Sequence, residues 1–226
     1  MGPSLKENAL NQIPLFSSLE PEQLKHIAEL CKRKTFAKDD YILYQGDLQK
    51  ELYIILSGRV SVVLSSEEGR EIVLDEFGEG GFFGELSLLD EKPRSASVKA
   101  ISDVRTIVLE KKDFIRIVKA NPDISINILA IMGERLRKAD DKVSTLAFMD
   151  VCGRVAKFIL NLAEDNGEKI EEGKISIKPV THQFIADQIG ASRESVTKAL
   201  KTLAKQGLVE TNGRALSIDS GQLEIF

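Results

Sequence analysis

Histidine and cysteine each occur only twice in these 226 residues. Cys31 and Cys152 stand far apart with no Cys-x-x-Cys spacing, which argues against a disulfide framework, a zinc site or a cysteine-ligated iron–sulfur cluster. Two buried thiols in a cytosolic protein are the plain reading. With only His26 and His182 beside them, a haem or redox sensor has few ligands to draw on, and no metal is expected. No nucleophile–base pairing or carboxylate–histidine cluster is visible, so the chain does not read as an enzyme. The longest apolar runs, such as "LYIIL" and "NILAIM", fall far short of a membrane span. The opening "MGPSLKENALNQ" has no basic-then-apolar leader, so a cytoplasmic protein without a membrane partner is expected. The net charge of −4 gives no global basic signature, so any contact with nucleic acid must come from a local patch.

What is present is ordinary globular material, 42% hydrophobic, enough for two modest cores. From Leu5 to Lys34, apolar residues at helical spacings and the "SSLEPEQL" entry, with Pro21 in a first turn, predict short helices. From Thr35 to Leu109 the pattern changes to closely spaced alternating segments ("YILYQ", "ELYIILSGRVSVVLS", "REIVLDEF", "SASVKAI", "VRTIVLE"), which predict a small β-roll or barrel. Gly46, Gly58, Gly69 and Gly78 fall at turn-like positions between them.

After Pro122 the pattern predicts a long helix to about Leu146. Its apolar residues form a heptad seam, with Leu129, Leu136 and Val143 at a and Met132, Ala139 and Leu146 at d. Ile124, Ile128 and Ile131 are left to pack on the roll. A parallel dimer and a purely intramolecular core helix both suit this pattern.

Asp150 offers an N-cap to the helix "VCGRVAKFILNLAE", and the acidic "EDNGEKIEEGK" beyond it reads as a solvated connector. Thr181 then caps a short helix ending at Ile189, Gly190 supplies a break, and Ser192 caps a second helix that ends before Gly207. Two helices so joined make a helix-turn-helix. Arg193, Lys198, Lys201 and Lys205 on the second helix stand against one acid, Glu194, which supplies the basic patch. Arg193, Glu194, Thr197 and Lys198 share one stripe at its N-terminal end, the part of such a helix that meets base edges in the major groove. Arginine can fork onto guanine and glutamate can accept from cytosine N4; an ordinary solvated Arg–Glu pair is the alternative. "LVETNGRALSI" reads as a two-stranded wing turning at Asn212-Gly213, with Arg214 available to a phosphate.

The loop "FGELSLLDEKPRSAS" carries Gly84 and Glu85 at one end and Arg94 and Ser95 at the other. A carboxylate accepting from a ribose 2′-hydroxyl, with a guanidinium and turn amides on a phosphate, would suit a ribose cyclic phosphate. An Arg–Glu ion pair pinning a surface loop is equally compatible with these residues alone.

This segment resembles the phosphate-binding cassette of cyclic-nucleotide-binding domains, matching at Gly84, Glu85, Leu86, Pro93, Arg94, Ser95 and Ala96. Nearly the whole chain is similar to the transcription factors typified by the cyclic-AMP receptor protein, within the superfamily that includes the fumarate–nitrate regulators. The resemblance implies an α+β fold in three parts. A cyclic-nucleotide-binding, jelly-roll-like β-roll would occupy residues 1–122, a dimerisation helix and hinge 123–149, and a winged helix-turn-helix 150–226. It further implies a homodimer that binds cyclic AMP through Gly84, Glu85, Leu86, Arg94 and Ser95. A palindromic, TGTGA-like double-stranded DNA would be read through Ser192, Arg193, Glu194, Thr197, Lys198, Lys201 and Arg214, with RNA polymerase as a further partner. Two departures stand out. Lys198 replaces the arginine usual in the cyclic-AMP branch, and Ala139 and Asp140 replace its Thr-Ser pair. Asp140 suits guanine's adjacent donors, which keeps cyclic GMP or cyclic di-GMP open as effectors; equally, it could pair across a dimer with Arg135.

Overall fold

The computed structural model describes residues 10–11, 13–66, 71–170, 174–212 and 215–219. The chain divides into two compact units, an N-terminal one of Met1–Ser65 with Leu74–Lys138 and a C-terminal one of Ala139–Phe226 with Ser66–Val73, which takes in the start of β5.

In the N-terminal unit a 3-10 turn, Pro14–Phe16, precedes helix α1, Pro21–Leu30. Glu20, rather than either serine, caps α1, in a reciprocal capping box with Gln23. The strands follow as β1 (Lys32–Phe36), β2 (Tyr41–Leu43), β3 (Glu51–Ser57), β4 (Val60–Ser65), β5 (Glu71–Phe77) and β6 (Phe82–Phe83). A four-residue helix α2 (Leu86–Leu89) comes next, then β7 (Ser97–Ala100), β8 (Val104–Glu110) and helix α3 (Lys111–Ala120). Two four-stranded sheets result, in the orders β1-β8-β3-β6 and β2-β7-β4-β5. Alternation along the strands sends Tyr53, Ile55, Val98, Ala100 and Val108 into one core of the roll. Leu52, Ile54, Ile107 and Leu109 point the other way, into a second core shared with α1 and α3.

Helix α4 runs from Pro122 to Phe148, two residues beyond the expected end. Ile124 and Ile128 are buried in the helix-side core, with Ile131 packed against it. Met132, expected on the seam, packs there too, because it lies one turn beyond Ile128. Leu129, Leu136 and Val143 are 70%, 63% and 64% exposed, so they form an apolar stripe with no cover among the described residues.

In the C-terminal unit, Asp150 caps helix α5 (Val151–Asn166) by accepting from the Gly153 amide. The acidic connector is not wholly a loop: its strand β9 (Glu168–Lys169) pairs antiparallel with β10 (Lys174–Ile177), whose Ile175 and Ile177 are buried. Helices α6 (His182–Ile189) and α7 (Arg193–Lys205) follow, then β11 (Glu210–Asn212) and β12 (Ala215–Asp219), in a sheet ordered β11-β12-β10-β9. Thr181 caps α6 through the Phe184 amide, and Gly190 ends it with φ +64°, the left-handed conformation glycine adopts without strain. Val155, Ile159, Ile185, Val196, Leu200 and Ile218 lie in one separate core.

Candidate functional site

The cassette loop starts where β6 meets β3. Tyr53 and Phe83 are cross-strand partners, and their rings stack at 5.1 Å. The next residue, Gly84, has φ +85°, and a Cβ there would lie 2.6 Å from Arg94 Nη1 and 2.8 Å from the Glu51 carbonyl oxygen. A glycine is required at this position for both reasons.

Arg94 is 4% exposed. Its Nη1 donates to the Gly84 carbonyl at 2.6 Å and to Ser87 Oγ at 2.7 Å, and its Nη2 donates to the Glu51 carbonyl at 2.9 Å. Its Nε is buried without a hydrogen-bond partner among the described residues. Burial lowers the Arg94 pKa from its ordinary value, against the nearby Tyr53, Glu51 and Glu85. The side chain of Glu51 is clamped by Tyr53 Oη at 2.6 Å and Lys34 Nζ at 3.0 Å. Burial pushes the Glu51 carboxyl up, but these bonds outweigh it and leave the carboxyl below its usual range.

The Arg94–Glu85 ion pair considered from sequence is not formed. Glu85, 4% exposed, pairs instead with Arg135 of α4, Oε1 to Nη1 at 2.8 Å. Arg135 Nη2 also donates to the Phe82 carbonyl at 2.6 Å, and the guanidinium lies over the Phe77 and Phe82 rings at 4.2 and 4.7 Å. Arg135 is thus held inside its own roll rather than left to pair with Asp140 across a dimer. Asp140 is exposed and makes no hydrogen bond or ion pair with described residues. Leu86 and Ser95 are exposed at the two ends of the loop.

Sequence reasoning missed Ser87, Glu51 and the role of Arg135. Only Arg135 left a signal, since it stands seven residues beyond Ile128 and four beyond Ile131, on the roll-facing side of α4. Ser87 is one serine in a loop of small polar residues, and Glu51 holds Arg94 by a carbonyl that any residue offers.

On α7, Arg193, Glu194, Lys198 and Lys201 are exposed, the first three in its N-terminal half. Ser192 is occupied as the cap, its Oγ accepting from the Ser195 amide at 3.1 Å. The Glu194 carboxyl is held below its ordinary range first by its own backbone amide and then by the Ser192 hydroxyl, which keeps it ionised as an acceptor. Thr197 departs from the expected open stripe: it is half-buried, and its hydroxyl is engaged by His182 and the Arg193 carbonyl. Arg214 lies outside the described residues. Among the described residues no cluster of three His, Cys, Asp or Glu is placed to hold a metal, and no helix is long and apolar enough to cross a membrane.

Residues 33–121 match the model of the cyclic nucleotide-binding domain, and residues 153–224 that of the Crp-like helix-turn-helix domain. The chain is 35% identical over 189 residues to the cAMP-activated global transcriptional regulator CRP of Escherichia coli O6:H1, covering 83% of this chain and 90% of that protein. It is 31% identical over 217 residues to the CRP-like cAMP-activated global transcriptional regulator of Mycobacterium tuberculosis, covering 96% of each. Among solved structures, the c-di-GMP responsive global regulator CLP of Xanthomonas campestris superposes with a TM-score of 0.78, over 88% of this chain and 99% of that one. At 23% identity that likeness is one of fold alone.

Proposed function

The chain belongs to the Crp-like family of cyclic nucleotide-binding, helix-turn-helix transcription regulators, and from that premise we propose that it is a homodimer switched by cyclic AMP. Arg94 carries this reading. It is a buried guanidinium that ion-pairs with no described carboxylate and keeps Nε without a partner, so a cyclic phosphate supplies the counter-charge that burial makes costly to omit. Gly84 and Leu86 bring backbone close to the phosphate, Ser95 adds a hydroxyl, and Glu85, oriented by Arg135, accepts from the ribose 2′-hydroxyl. The exposed stripe of α4 joins two copies. Arg193, Glu194 and Lys198 then read a palindromic, TGTGA-like operator in the cytoplasm, with Ser192, Lys201 and Arg214 near phosphates and RNA polymerase as the downstream partner.

Cyclic GMP or cyclic di-GMP is the second reading, and the exposed carboxylate of Asp140 favours it, because guanine presents two adjacent donors that an aspartate can accept. Calorimetric titration with cyclic AMP, cyclic GMP and cyclic di-GMP decides between them. Arg94→Ala abolishes tight binding of whichever wins, and unchanged affinity would mean that the cassette is not the site. Operator DNA raises ligand affinity by the factor by which ligand raises DNA affinity, since the coupling is reciprocal.

A further inference from the structure

A short chain of hydrogen bonds ties the two helices of the helix-turn-helix together at the reading face. His182 Nδ1 lies 2.8 Å from Thr197 Oγ1, and Thr197 Oγ1 lies 2.9 Å from the Arg193 carbonyl oxygen. A carbonyl can only accept, so the two contacts are hydrogen bonds together only when the threonine proton goes to Arg193. Oγ1 is then left to accept from the imidazole, which places the hydrogen on Nδ1. His182 is fixed for this role as the first residue of α6, directly after the Thr181 cap. Within the cavity of about 710 Å³ that His182 and Thr197 help to line, the charged neighbours among the described residues are Arg193, Lys201 and Lys205, with no carboxylate among them to compete for the imidazole hydrogen.

The proton and one of the two lone pairs of the Thr197 hydroxyl are therefore spent inside the protein. What this half-buried residue has left for a base edge, beside the exposed Arg193, Glu194 and Lys198, is one lone pair, which cannot donate to thymine O4, and its γ-methyl. A free threonine hydroxyl discriminates poorly, because it can bond donors and acceptors alike, whereas the methyl of thymine is unique in the major groove. We propose that Thr197 reads a thymine in each half-site by methyl-to-methyl contact, and that His182 is the positioning residue that turns the hydroxyl away. This rests on the reading of α7 as the helix that enters the groove.

The test uses the full-length protein and the duplex it selects from a random library, each thymine being replaced in turn by deoxyuridine, which removes the methyl and keeps the pairing edge. One symmetric pair of thymines should be sensitive, weakening wild-type binding about fourfold per half-site, the effect of one buried methyl-sized group. Thr197→Ser erases that sensitivity while leaving the remaining sequence preference. His182→Ala erases it too, and His182→Asn, whose amide nitrogen takes the place of Nδ1, restores it. With only two histidines in the chain, nitrogen NMR at about pH 8, where an ordinary imidazole is neutral, should find His182 as the Nδ1–H tautomer. Indifference of every thymine to methyl loss, an Nε2–H tautomer, or full sensitivity in His182→Ala overturns the proposal, even where Arg193→Ala still abolishes sequence-specific binding. Failure of the wild type to select any sequence would instead overturn the reading of α7.

Discussion

Replacing Arg135 by alanine should destabilise the N-terminal unit more than any surface charge would. The Glu85 side chain is 5% exposed and that of Arg135 20%, so truncation strands a carboxylate that loses its 2.8 Å partner. The Phe82 carbonyl loses its 2.6 Å donor, and two ring faces lose their cation. Breaking a buried pair from one side costs about 3–5 kcal/mol. Because the arginine is a fifth exposed, water can reach part of the gap, which places the cost near about 3 kcal/mol. For a unit of this size that lowers the melting temperature by about 12 °C. Tyrosine fluorescence is the appropriate assay, since the chain has no tryptophan and its three tyrosines, Tyr41, Tyr44 and Tyr53, all belong to the N-terminal unit. The pair Glu85→Gln with Arg135→Met leaves no charge orphaned and should recover more than half of the loss. A fall of under about 2 °C for Arg135→Ala, or a double variant as damaged as the summed singles, would refute the reasoning.

Three further outcomes are expected. Gly84→Ala forces a side chain into φ +85° and against the fixed Glu51 carbonyl, so it should cost about 1–2 kcal/mol and lower the same transition by about 4–8 °C; an unchanged melt would show that the turn relaxes. If the exposed stripe joins two copies as proposed, the wild type should sediment as a dimer at micromolar concentration and Leu136→Glu as a monomer without moving the tyrosine melt, whereas a persistent dimer would place the interface elsewhere. Lys32, at 2.7 Å, and then Lys112, at 3.1 Å, hold the Glu110 carboxyl at about 2. Its folded value lies below its unfolded one, so this small stabilisation is present above about pH 4.5 and is lost as pH falls towards 2. The urea midpoint of Glu110→Gln should accordingly lie below the wild type at neutral pH and converge with it in acid; a constant gap from pH 7 to pH 3 would exclude the ion pairs as its source.

Local chemistry was the legible part of the fold. The caps at Asp150, Thr181 and Ser192 and the left-handed Gly190 can be read within four residues of each helix end, and each is found in that role. The two-residue β6, the four-residue α2 and the β9–β10 hairpin are too short for any period to declare itself. The ten-residue α3 lay unrecognised between louder neighbours, although Phe114 and Ile117 sit a turn apart in its core face. In the site, spacing displayed the two ends of the cassette loop but not what holds them. The Glu85–Arg135 pair spans 50 residues of sequence, and two of the three acceptors on Arg94 are carbonyls that carry no residue identity.

The C-terminal core around Val155, Ile185 and Val196 shares no residue with either core of the N-terminal unit. Substitutions at distant sites with no shared partners add rather than compound, so the packing effect of a change in one core is not amplified by a change in the other. A residue that lines the loop of Gly84 and Arg94 can therefore change without repacking the side chains beneath α7.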